Sequence, residues 1–498
     1  MQADVLDRIV ADRRRRIDAE GAAQGVQVPA DRPDSLPVVP FPQPLICEIK
    51  RRSPSRGDLA ATLDPVARAA EYGRRGAGAV SVLTEQDHFA GSLGDLIAVK
   101  SAHPQLAVLR KDFLLDAEDV RISWRAGADA ILLIAAILDR DTLRLMLEEA
   151  AACGIAALVE IHDTEDLEKI RTLRPAVVGI NSRDLRSFRV DLLTPMELGQ
   201  RIDWPCRRVF ESGVFHPEDV LLARDGGFDA VLVGESVVRD PQRVSLLAQT
   251  MAHPHQTAEA RAAAADHPRR FWPSVAAARR RRPLVKICGI TTVEDARLAQ
   301  DLGADLLGVV YAPSRRRAPE GLAQRLVEAG IAVPLVAVVV EPDYDGHVQR
   351  AREDLEAGWI SALQLHGNAA PEEKLSYGWP SFAAFKPAAP AEAREAVAAA
   401  RSPRFLIDAR HPTLAGGSGR QVDPEVLSAV VEALADRPHG ELWLAGGLGP
   451  DNVGEVIATW RPELIDASSR LEAEPGRKDP GLLRKFFAAI DAVAERTE

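Results

Sequence analysis

Charged residues that could do acid–base chemistry first appear in the stretch 45–57, where a short apolar run ends in charges and then in Ser, Pro and Gly. Side chains alternate along a strand, so Glu48 and Lys50 share one face while Cys47 lies on the other, where we expect it to pack. A carboxylate and an ammonium group at the carboxyl end of a strand, beside a polar loop, are typical of a phosphate-handling active site. The alternative is a surface ion pair on an edge strand, and such pairs are common and weak.

The same pattern, a charged or amide side chain at the end of an apolar run, recurs through the first half of the chain. The further residues are Lys111, Glu160, Asn181, Arg183 and Glu211. Burying unpaired charges costs free energy, so three carboxylates and two lysines that lie close together would destabilise a hydrophobic core. They indicate a set of general acids and bases with shifted pKa values.

A second set of candidate residues lies in the second half. Lys286 and Cys288 share one strand face by alternation, and a thiol near a lysine in an anion-binding cavity could have its pKa tuned for proton transfer. A buried, inert cysteine is the alternative for Cys288 taken alone. Asp408, at the end of a later apolar run, favours the functional interpretation, because a thiol and a carboxylate form a base and acid pair.

The elements that must position these residues are short strands that alternate with helical stretches. In the first half the pattern predicts strands at 45–50, 79–84, 107–112, 129–137, 157–162, 177–182, 207–212 and 230–235. In the second half it predicts strands at 284–288, 306–311, 335–340, 362–366, 382–386, 404–409, 441–445 and 463–467. Such alternation implies right-handed βαβ units, and eight units in about 200 residues favour closure. The predicted fold class is α/β, with two tandem (β/α)8 TIM barrels.

The domain organisation follows from where this alternation stops and restarts. We predict a first barrel with an N-terminal helical extension over 1–251, a linker over 252–282 and a second barrel over 283–498. An amphipathic helix is predicted over 4–20, with Arg13 to Arg16 on a solvated face or, alternatively, recruiting phosphate. The linker is rich in Ala, His and Pro and is expected to be helical only around 257–265.

Glycine-rich turns after the last two strands of each half could hold phosphate. In the first half these are Ser212-Gly213 and Gly234-Glu235-Ser236, and in the second half 445–448 and 466–469, with a further Gly-rich run at 416–420. Backbone N–H groups in such turns bind anions, and (β/α)8 barrels place phosphate after strands 7 and 8. A Gly-rich turn taken alone is a weak indication.

Composition excludes several classes of protein. A net charge of −11 argues against a nucleic-acid binder, and the longest apolar run, 130–138, is far below the roughly 20 residues that a membrane helix needs. The four cysteines lack the spacing of a zinc site or a disulfide framework, which suits the reducing cytoplasm. We therefore expect a cytoplasmic protein with no nucleic-acid or membrane partner, and we expect a monomer.

Several motifs in one order resemble a known family. Residues 1–250 look like indole-3-glycerol-phosphate synthase, on the motifs EIKRRSPS at 48–55, KDF at 111–113, GINSRDL at 179–185 and ESG at 211–213. The resemblance implies ring closure of 1-(o-carboxyphenylamino)-1-deoxyribulose 5-phosphate, with loss of carbon dioxide and water. The chain departs from the family at Val237-Val238, where a Leu-Met pair is usual, and in its Pro-rich entry to the first strand.

This resemblance also implies roles for the strand-end residues. Lys111 would be the general acid that protonates the substrate carbonyl during ring closure, and Glu160 the base of the later dehydration. Glu48 and Asn181 would orient the substrate, and His162 is expected to be a supporting hydrogen-bonding residue near Glu160. The remaining implied binding residues are Lys50, Ser53, Phe89, Phe113, Arg183, Glu211, Ser212, Gly213, Gly234 and Glu235. The two phenylalanines are candidates to stack on the anthranilate ring.

Residues 283–498 resemble phosphoribosylanthranilate isomerase, on the motifs KICGI at 286–290, QLHGN at 364–368, GGSG at 416–419, LAGGL at 444–448 and DASS at 466–469. The implied reaction is an Amadori rearrangement that opens the ribose of N-(5-phosphoribosyl)anthranilate and shifts a proton from C2. Cys288 would be the base and Asp408 the acid. Arg316 would contact the anthranilate carboxylate, although three adjacent arginines, 315–317, leave this open by one position. The remaining implied binding residues are Gln364, His366, Gly446, Gly447, Asp466, Ser468 and Ser469.

Together the resemblances imply a bifunctional enzyme of tryptophan biosynthesis, a carboxy-lyase and an isomerase acting on small phosphosugar anthranilates. No metal or organic cofactor is implied, because acids, bases and phosphate anchoring serve both reactions. One alternative is the related sugar-phosphate isomerisation of histidine biosynthesis, whose barrel generally carries paired aspartates where this chain has Cys288 and Asp408. A scaffold with decayed sites is another alternative, and the presence of Lys111 and Glu160 beside that pair argues against it.

Overall fold

The computed structural model describes residues 5–53, 57–184, 189–252, 270–279, 282–341, 343, 345–367, 379–409, 421–435, 437 and 440–494. The chain divides into two compact units, Met1–Gln256 and Thr257–Glu498. Each unit is built on a closed barrel of eight parallel strands with helices between them, which confirms the predicted fold class. The individual boundaries predicted for the linker stay a prediction.

The strands of the first barrel follow one another around it in chain order. They are β1 (Leu45–Ile49), β2 (Ala79–Leu83), β3 (Ala107–Lys111), β4 (Ala130–Ile134), β5 (Ala156–Ile161), β6 (Val177–Asn181), β7 (Arg207–Glu211) and β8 (Ala230–Val233). The barrel closes where β1 pairs with β8 in parallel, Leu45 opposite Val231. All eight predicted strands are confirmed, and the largest difference is in β4, which ends at Ile134 because the chain turns there.

The helices of the first unit begin at aspartates in several places. Its helices are Val5–Glu20, Pro65–Arg74, Leu93–Ala102, Ala117–Arg125, Arg140–Ala152, Thr164–Arg171, Thr194–Gln200, Pro217–Asp225, Glu235–Arg239 and Arg243–Ala252. The side chains of Asp64, Asp116, Asp139 and Asp163 accept hydrogen bonds from backbone N–H groups in the first turn that follows each of them. These caps satisfy donors that a helix start otherwise leaves open. A two-residue antiparallel pair, Arg52–Ser53 with Gly57–Asp58, follows β1.

The arginines of the N-terminal helix, Val5–Glu20, do not share one solvated face. Arg13 is buried and donates to Asp119 at 2.7 Å, and its guanidinium lies 3.9 Å from Asp112. The predicted solvated face is therefore wrong for Arg13. The physical reason is helical periodicity, since Arg13 lies four residues after the buried Ile9, on the same face. Arg15, by contrast, is exposed.

The strands of the second barrel are also in chain order. They are β9 (Leu284–Cys288), β10 (Leu306–Val310), β11 (Leu335–Val340), β12 (Ala362–His366), β13 (Ser381–Phe385), β14 (Leu406–Ile407), β15 (Trp443–Ala445) and β16 (Leu464–Ala467). Closure is by β9 and β16, with Leu284 opposite Leu464. All eight predicted strands are present, although β14 and β15 are shorter than predicted.

The described helices of the second unit are Phe271–Ala278, Val293–Asp301, Leu322–Glu328, His347–Glu356, Pro390–Ala399, Pro424–Ala435, Val453–Trp460 and Pro480–Ala494, with a 3-10 turn at Ser469–Leu471. A small antiparallel pair, Glu472–Glu474 with Arg477–Lys478, follows β16. Across the described parts of the chain, no helix combines the length and apolar character needed to cross a membrane.

The helix Phe271–Ala278 belongs to the core of the second unit. Phe271 stacks on Phe382 with ring centroids 5.7 Å apart, and Trp272 lies 6.2 Å from Trp443. All four rings are almost fully buried. Because Phe382 and Trp443 stand at the starts of β13 and β15, this helix covers the amino ends of those strands. The helix predicted around 257–265 lies outside the described residues.

Candidate active sites

A cavity of about 170 Å³ lies at the carboxyl ends of the first barrel's strands. Every residue predicted for the synthase site lines it, namely Glu48, Lys50, Ser53, Phe89, Lys111, Phe113, Glu160, Asn181, Arg183, Glu211, Ser212, Gly213, Gly234 and Glu235. The structure thus brings together residues that are up to 187 positions apart in the chain (Glu48 to Glu235). Their individual roles stay predictions.

Lys111 lies between two carboxylates from other strands. Its Nζ is 3.4 Å from Oε2 of Glu160 and 3.2 Å from Oε2 of Glu211. Burial alone would lower the pKa of Lys111, but the charges of Glu211 and Glu160 raise it above its ordinary value. The side chain is therefore an ammonium group, the form that a general acid requires.

The two carboxylates beside Lys111 differ in protonation. Burial would raise the pKa of Glu160, but Lys111 and His162 lower it below its ordinary value. Burial raises the pKa of Glu211, and the charge of Glu160 adds to that shift while Lys111 opposes it. Glu160 is thus ionised, whereas Glu211 is able to hold a proton near neutral pH. Environments that push two carboxyl groups apart in this way are typical of paired acid and base roles.

Glu48 and Lys50 share one face, as the alternation predicted, and form an ion pair inside the cavity. Lys50 Nζ lies 2.5 Å from Oε1 of Glu48. Burial would raise the pKa of Glu48, but Lys50 and Lys111 lower it. A Cβ on Gly234 would stand 2.6 Å from the same Glu48 oxygen, so any other residue there would displace the Glu48 carboxylate. Cys47 is fully buried on the opposite face, which confirms its predicted packing role.

The turn after β7 has a conformation that favours glycine. Ser212 and Gly213 both have positive φ, 67° and 74°. A Cβ on Gly213 would approach Leu192 to 2.5 Å, so the close packing requires glycine there as well. The carbonyl of Ser212 accepts a hydrogen bond from the hydroxyl of Ser182 at 3.0 Å, which fixes the turn. Turns of this kind suit anion binding by backbone N–H groups.

The apolar wall of the first cavity includes residues that the sequence did not indicate. Phe89 and Phe113, the predicted stacking pair, have ring centroids 6.2 Å apart. The N-terminal helix contributes Val5, Leu6 and Ile9 to the same wall. Its amphipathic periodicity predicted an apolar face, but periodicity cannot say that the face covers a cavity rather than a core.

The second barrel carries a cavity of about 320 Å³ at the carboxyl ends of its strands. Every residue predicted for the isomerase site lines it, namely Cys288, Arg316, Gln364, His366, Asp408, Gly446, Gly447, Asp466, Ser468 and Ser469. Among the residues of the family motifs, 54–55, Leu185, Asn368 and 416–419 lie outside the described parts of the chain.

Cys288 stands at the end of β9 beside a buried ion pair. Lys286, on the same strand face, donates to Oδ2 of Asp466 at 2.6 Å. Burial raises the pKa of the Cys288 thiol, and Lys286 opposes that shift. A Cβ on Gly308 would lie 2.7 Å from the Cys288 sulfur, so a glycine on the neighbouring strand makes the room that the thiol occupies.

Asp408 faces a lysine that sequence reasoning missed. Nζ of Lys386, the residue after β13, lies 3.6 Å from Oδ2 of Asp408. Burial raises the pKa of Asp408 to about 6, with Lys386 opposing and Asp466 adding to the shift. The carboxyl group therefore holds a proton further into the neutral range than an exposed aspartate does. The position of Lys386 at a strand end was the available indication.

The three adjacent arginines have different surroundings. Arg316 forms a close pair with Glu472, with Nη2 2.8 Å from Oε2 and Nε 2.9 Å from both carboxylate oxygens. Arg317 pairs with Asp345 at 2.9 Å and does not line the cavity. Arg315 lines the cavity together with Arg316. Of the three arginines, Arg315 and Arg316 thus remain the candidates for binding the anthranilate carboxylate.

His366 is a neutral imidazole in this site. The amide of Gln364, two residues earlier on the same strand face, donates to His366 Nε2 at 2.8 Å. Burial lowers the pKa of His366 well below its ordinary value, and the positive charges of Lys386 and Lys286 act in the same direction. On the rim, Gly446 and Gly447 have positive φ of 100° and 58°, so this turn depends on glycine.

One group of potential metal ligands occurs in the described parts of the chain. Nδ1 of His347 lies 3.0 Å from Oδ1 of Asp343 and 2.5 Å from Oδ1 of Asp345. The buried imidazole is thus already held by these carboxylates, and Nε2 lies 3.0 Å from the carbonyl oxygen of Val340. The group lines neither cavity.

Comparisons with known proteins agree with this division of the chain. Residues 6–249 match the family model for indole-3-glycerol phosphate synthase, and residues 285–489 match that for N-(5'phosphoribosyl)anthranilate (PRA) isomerase. The indole-3-glycerol phosphate synthase of Parafrankia sp. is 42% identical over 258 residues, which cover 50% of this chain and 96% of the relative. The crystal structure of phosphoribosyl anthranilate isomerase from Thermus thermophilus is 34% identical, covers 42% of this chain and 99% of its own, and has a TM-score of 0.37.

Longer relatives contain both parts. The multifunctional tryptophan biosynthesis protein of Phycomyces blakesleeanus is 29% identical over 505 residues, which cover 90% of this chain. The match covers 63% of that relative, so this chain spans less than two thirds of its length. The chain belongs to the indole-3-glycerol phosphate synthase family through its first half and to the PRA isomerase family through its second half.

Proposed function

We propose that this chain is a bifunctional enzyme of tryptophan biosynthesis. The second barrel would isomerise N-(5-phosphoribosyl)anthranilate, and the first would convert the product, 1-(o-carboxyphenylamino)-1-deoxyribulose 5-phosphate, to indole-3-glycerol phosphate. The observation that carries the proposal is the placement of Lys111 within 3.4 Å of Glu160 and Glu211, whose pKa values are shifted in opposite directions, in the cavity at the carboxyl ends of the first barrel's strands. No metal or organic cofactor enters either proposed reaction.

In the proposed ring closure, Lys111 donates a proton to the substrate carbonyl as the new carbon–carbon bond forms. The carboxylate then leaves the benzene ring carbon as carbon dioxide, and the electrons of the broken bond return to the ring, which restores its aromaticity. Glu160 then removes a proton from the carbon next to the nitrogen, the hydroxyl group takes up a proton and leaves as water, and the double bond that completes the indole forms. Glu48 and Asn181 orient the substrate, and the phosphate lies at the turn that contains Ser212.

In the proposed isomerisation, Asp408 donates a proton to the ring oxygen of the ribose as the ring opens. Cys288 removes the proton from C2, and the enol that results becomes the ketone. Lys286 supports the thiolate form of Cys288 because of its nearby positive charge. Arg315 or Arg316 binds the anthranilate carboxylate, and the glycine turn at Gly446 holds the phosphate.

A single time course with the purified chain, a metal chelator and N-(5-phosphoribosyl)anthranilate tests both halves. Loss of anthranilate fluorescence reports isomerisation, and indole absorption reports ring closure. We expect Cys288→Ala to abolish the first signal, and expect indole formation in that variant only when the ring-closure substrate is supplied. We expect Lys111→Met to abolish the second signal alone. If the unsubstituted chain gives neither signal, the proposal is wrong.

We also infer a monomer that works in the cytoplasm. The four cysteines, Cys47, Cys153, Cys206 and Cys288, are all free thiols, which suits a reducing compartment. Light scattering of the purified chain measures its mass directly. A mass of twice the 53.9 kDa of one chain would overturn the inference of a monomer.

A further inference from the structure

His162 is a buried imidazole that the proposed reaction does not use. It lies one residue beyond β5, two residues after Glu160, and its side chain is 10% exposed. Nε2 lies 3.1 Å from Oε1 of Glu160, and Nδ1 lies 3.4 Å from Oδ2 of Asp166. Asp166 is itself fixed at the start of the helix Thr164–Arg171, where Oδ2 accepts from the backbone N–H of His162 at 3.1 Å. Both ring nitrogens therefore lie within ion-pair distance of a carboxylate, although neither meets hydrogen-bond geometry.

This geometry favours the imidazolium form. A neutral imidazole has one N–H, whereas both ring nitrogens of His162 face a carboxylate oxygen. Burial alone would lower the pKa of His162, but its contacts with Asp166 and Glu160 raise it to about 10. Lys169, 4.0 Å from Asp166, is a further charge on this side.

The two oxygens of Glu160 have different partners as a result. Oε1 faces His162, and Oε2 faces Lys111. Glu211, from β7, shares Lys111 with Glu160. Only Glu160 of this pair has a cation on its far side among the described residues. The asymmetry between two otherwise similar carboxyl groups thus comes from His162.

We propose that His162 is a positioning residue that assigns the roles of the two carboxyl groups beside Lys111. Paired with Asp166, its imidazolium keeps Glu160 ionised as the proton acceptor, so that of the two carboxyl groups Glu211 is the one that carries a proton. This rests on the proposed ring-closure function. Without His162, Glu160 takes up a proton at a higher pH than in the unsubstituted chain, so the base is lost earlier as the pH falls.

The pH dependence of ring closure by the full chain tests this role. His162→Gln keeps a polar side chain but removes the charge, and an opposite charge at this distance lowers a carboxyl pKa by about 1 to 3 units. We therefore expect the acid limb of kcat to move to higher pH by about 1 to 3 units, with activity recovering at high pH. Asp166→Asn should move the acid limb of kcat in the same direction by a smaller amount, because it removes the carboxylate beside Nδ1 of His162 but leaves the imidazole.

Controls separate this role from a purely structural one. His103→Gln changes a partly exposed histidine that does not line the cavity and should leave the profile unmoved. Isomerase activity of each variant, which the second unit carries, reports the amount of intact chain, and an unchanged urea unfolding midpoint of the first unit reports that this unit is folded. A loss of ring closure that is equal at every pH, or an unmoved limb in both variants, overturns the role of His162. Absence of ring closure in the unsubstituted chain overturns the proposed function and this role with it.

A measurement without substrate gives a second test. In spectra of the chain with ¹⁵N-labelled histidine, the signals missing from His162→Gln identify the residue among the eleven histidines. We expect both nitrogens of His162 to stay protonated up to about pH 10. Titration near the ordinary value of about 6.5 would overturn the proposal.

Discussion

Gly179→Ala should disable ring closure by displacing Glu211. Gly179 lies in the middle of β6, and a Cβ added there would stand 2.0 Å from Oε1 of Glu211. Ordinary contact begins near 3.4 Å, so the oxygen has to retreat by the difference, about 1.4 Å. Glu211 Oε2 is 3.2 Å from Lys111, and a misplacement of about 1 Å can cost about 100-fold in rate. We expect kcat for ring closure to fall about 100-fold.

The bifunctional chain provides its own control for this substitution. Overpacking costs about 1–3 kcal/mol, which a stable domain can bear, and the isomerase activity of the same molecules should stay unchanged. Gly199→Ala is a matched variant, since its Cβ would meet nothing closer than 3.6 Å and it lies in a helix. Assays of both reactions across the two variants are needed. Ring closure within threefold of the unsubstituted chain in Gly179→Ala would refute the reasoning.

Three further predictions follow from buried contacts. Gly308→Ala should lower isomerisation at least tenfold, because its Cβ would lie 2.7 Å from the Cys288 sulfur, and should leave ring closure of supplied substrate unchanged. Asp408→Asn should abolish isomerisation yet raise the free energy of unfolding of the second unit by about 3 kcal/mol at pH 8 and little at pH 4. The sign follows because folding raises the pKa of Asp408 to about 6. The unsubstituted second unit therefore has its full stability below the pKa of Asp408 in the unfolded chain and loses stability as the pH rises through about 6. Arg13→Met should lower the free energy of unfolding of the first unit by about 3 kcal/mol in urea melts, because it strands a buried carboxylate, whereas the exposed Arg15→Met should change it by under about 0.5 kcal/mol.

Each of these has an outcome that contradicts it. Normal isomerisation in Gly308→Ala would mean that the Cys288 thiol can move away from the added methyl group without loss of activity. If Asp408→Asn changed the unfolding free energy equally at pH 4 and pH 8, ionisation of Asp408 would not lower the stability of the second unit. Equal effects of Arg13→Met and Arg15→Met would show that the buried ion pair contributes nothing that an exposed arginine does not.

The positions of the candidate site residues could be predicted from the sequence, because the carboxyl ends of all strands of a (β/α)8 barrel lie at the same end of the barrel. A residue at the carboxyl end of a strand faces the same cavity as its counterparts on the other strands, whichever strand it ends. Alternation then decided between Glu48, which faces the cavity, and Cys47, which does not. Neither inference needs any knowledge of the helices.

What the sequence could not supply was the partner of each charge. Arg13 looked like one of four solvated arginines, because nothing local says which helix face meets the barrel. Lys386 and Glu472 were overlooked, since their roles depend on Asp408 and Arg316, which are distant in the chain. The asymmetry between Glu160 and Glu211 likewise arises from contacts across the barrel. Pairing of this kind is a tertiary property, and local patterns carry no information on it.

The helix Phe271–Ala278 has a practical consequence for anyone who wants the second barrel alone. The family match and the first strand both suggest a chain that begins near Pro283. Such a chain would lose Phe271 and Trp272, each of which buries roughly 150–250 Å². It would expose Phe382 and Trp443 to water as an apolar patch of roughly a few hundred Å², about the largest that a soluble monomer normally exposes. A soluble fragment should therefore start before the helix Phe271–Ala278, and a fragment that starts near Pro283 should aggregate.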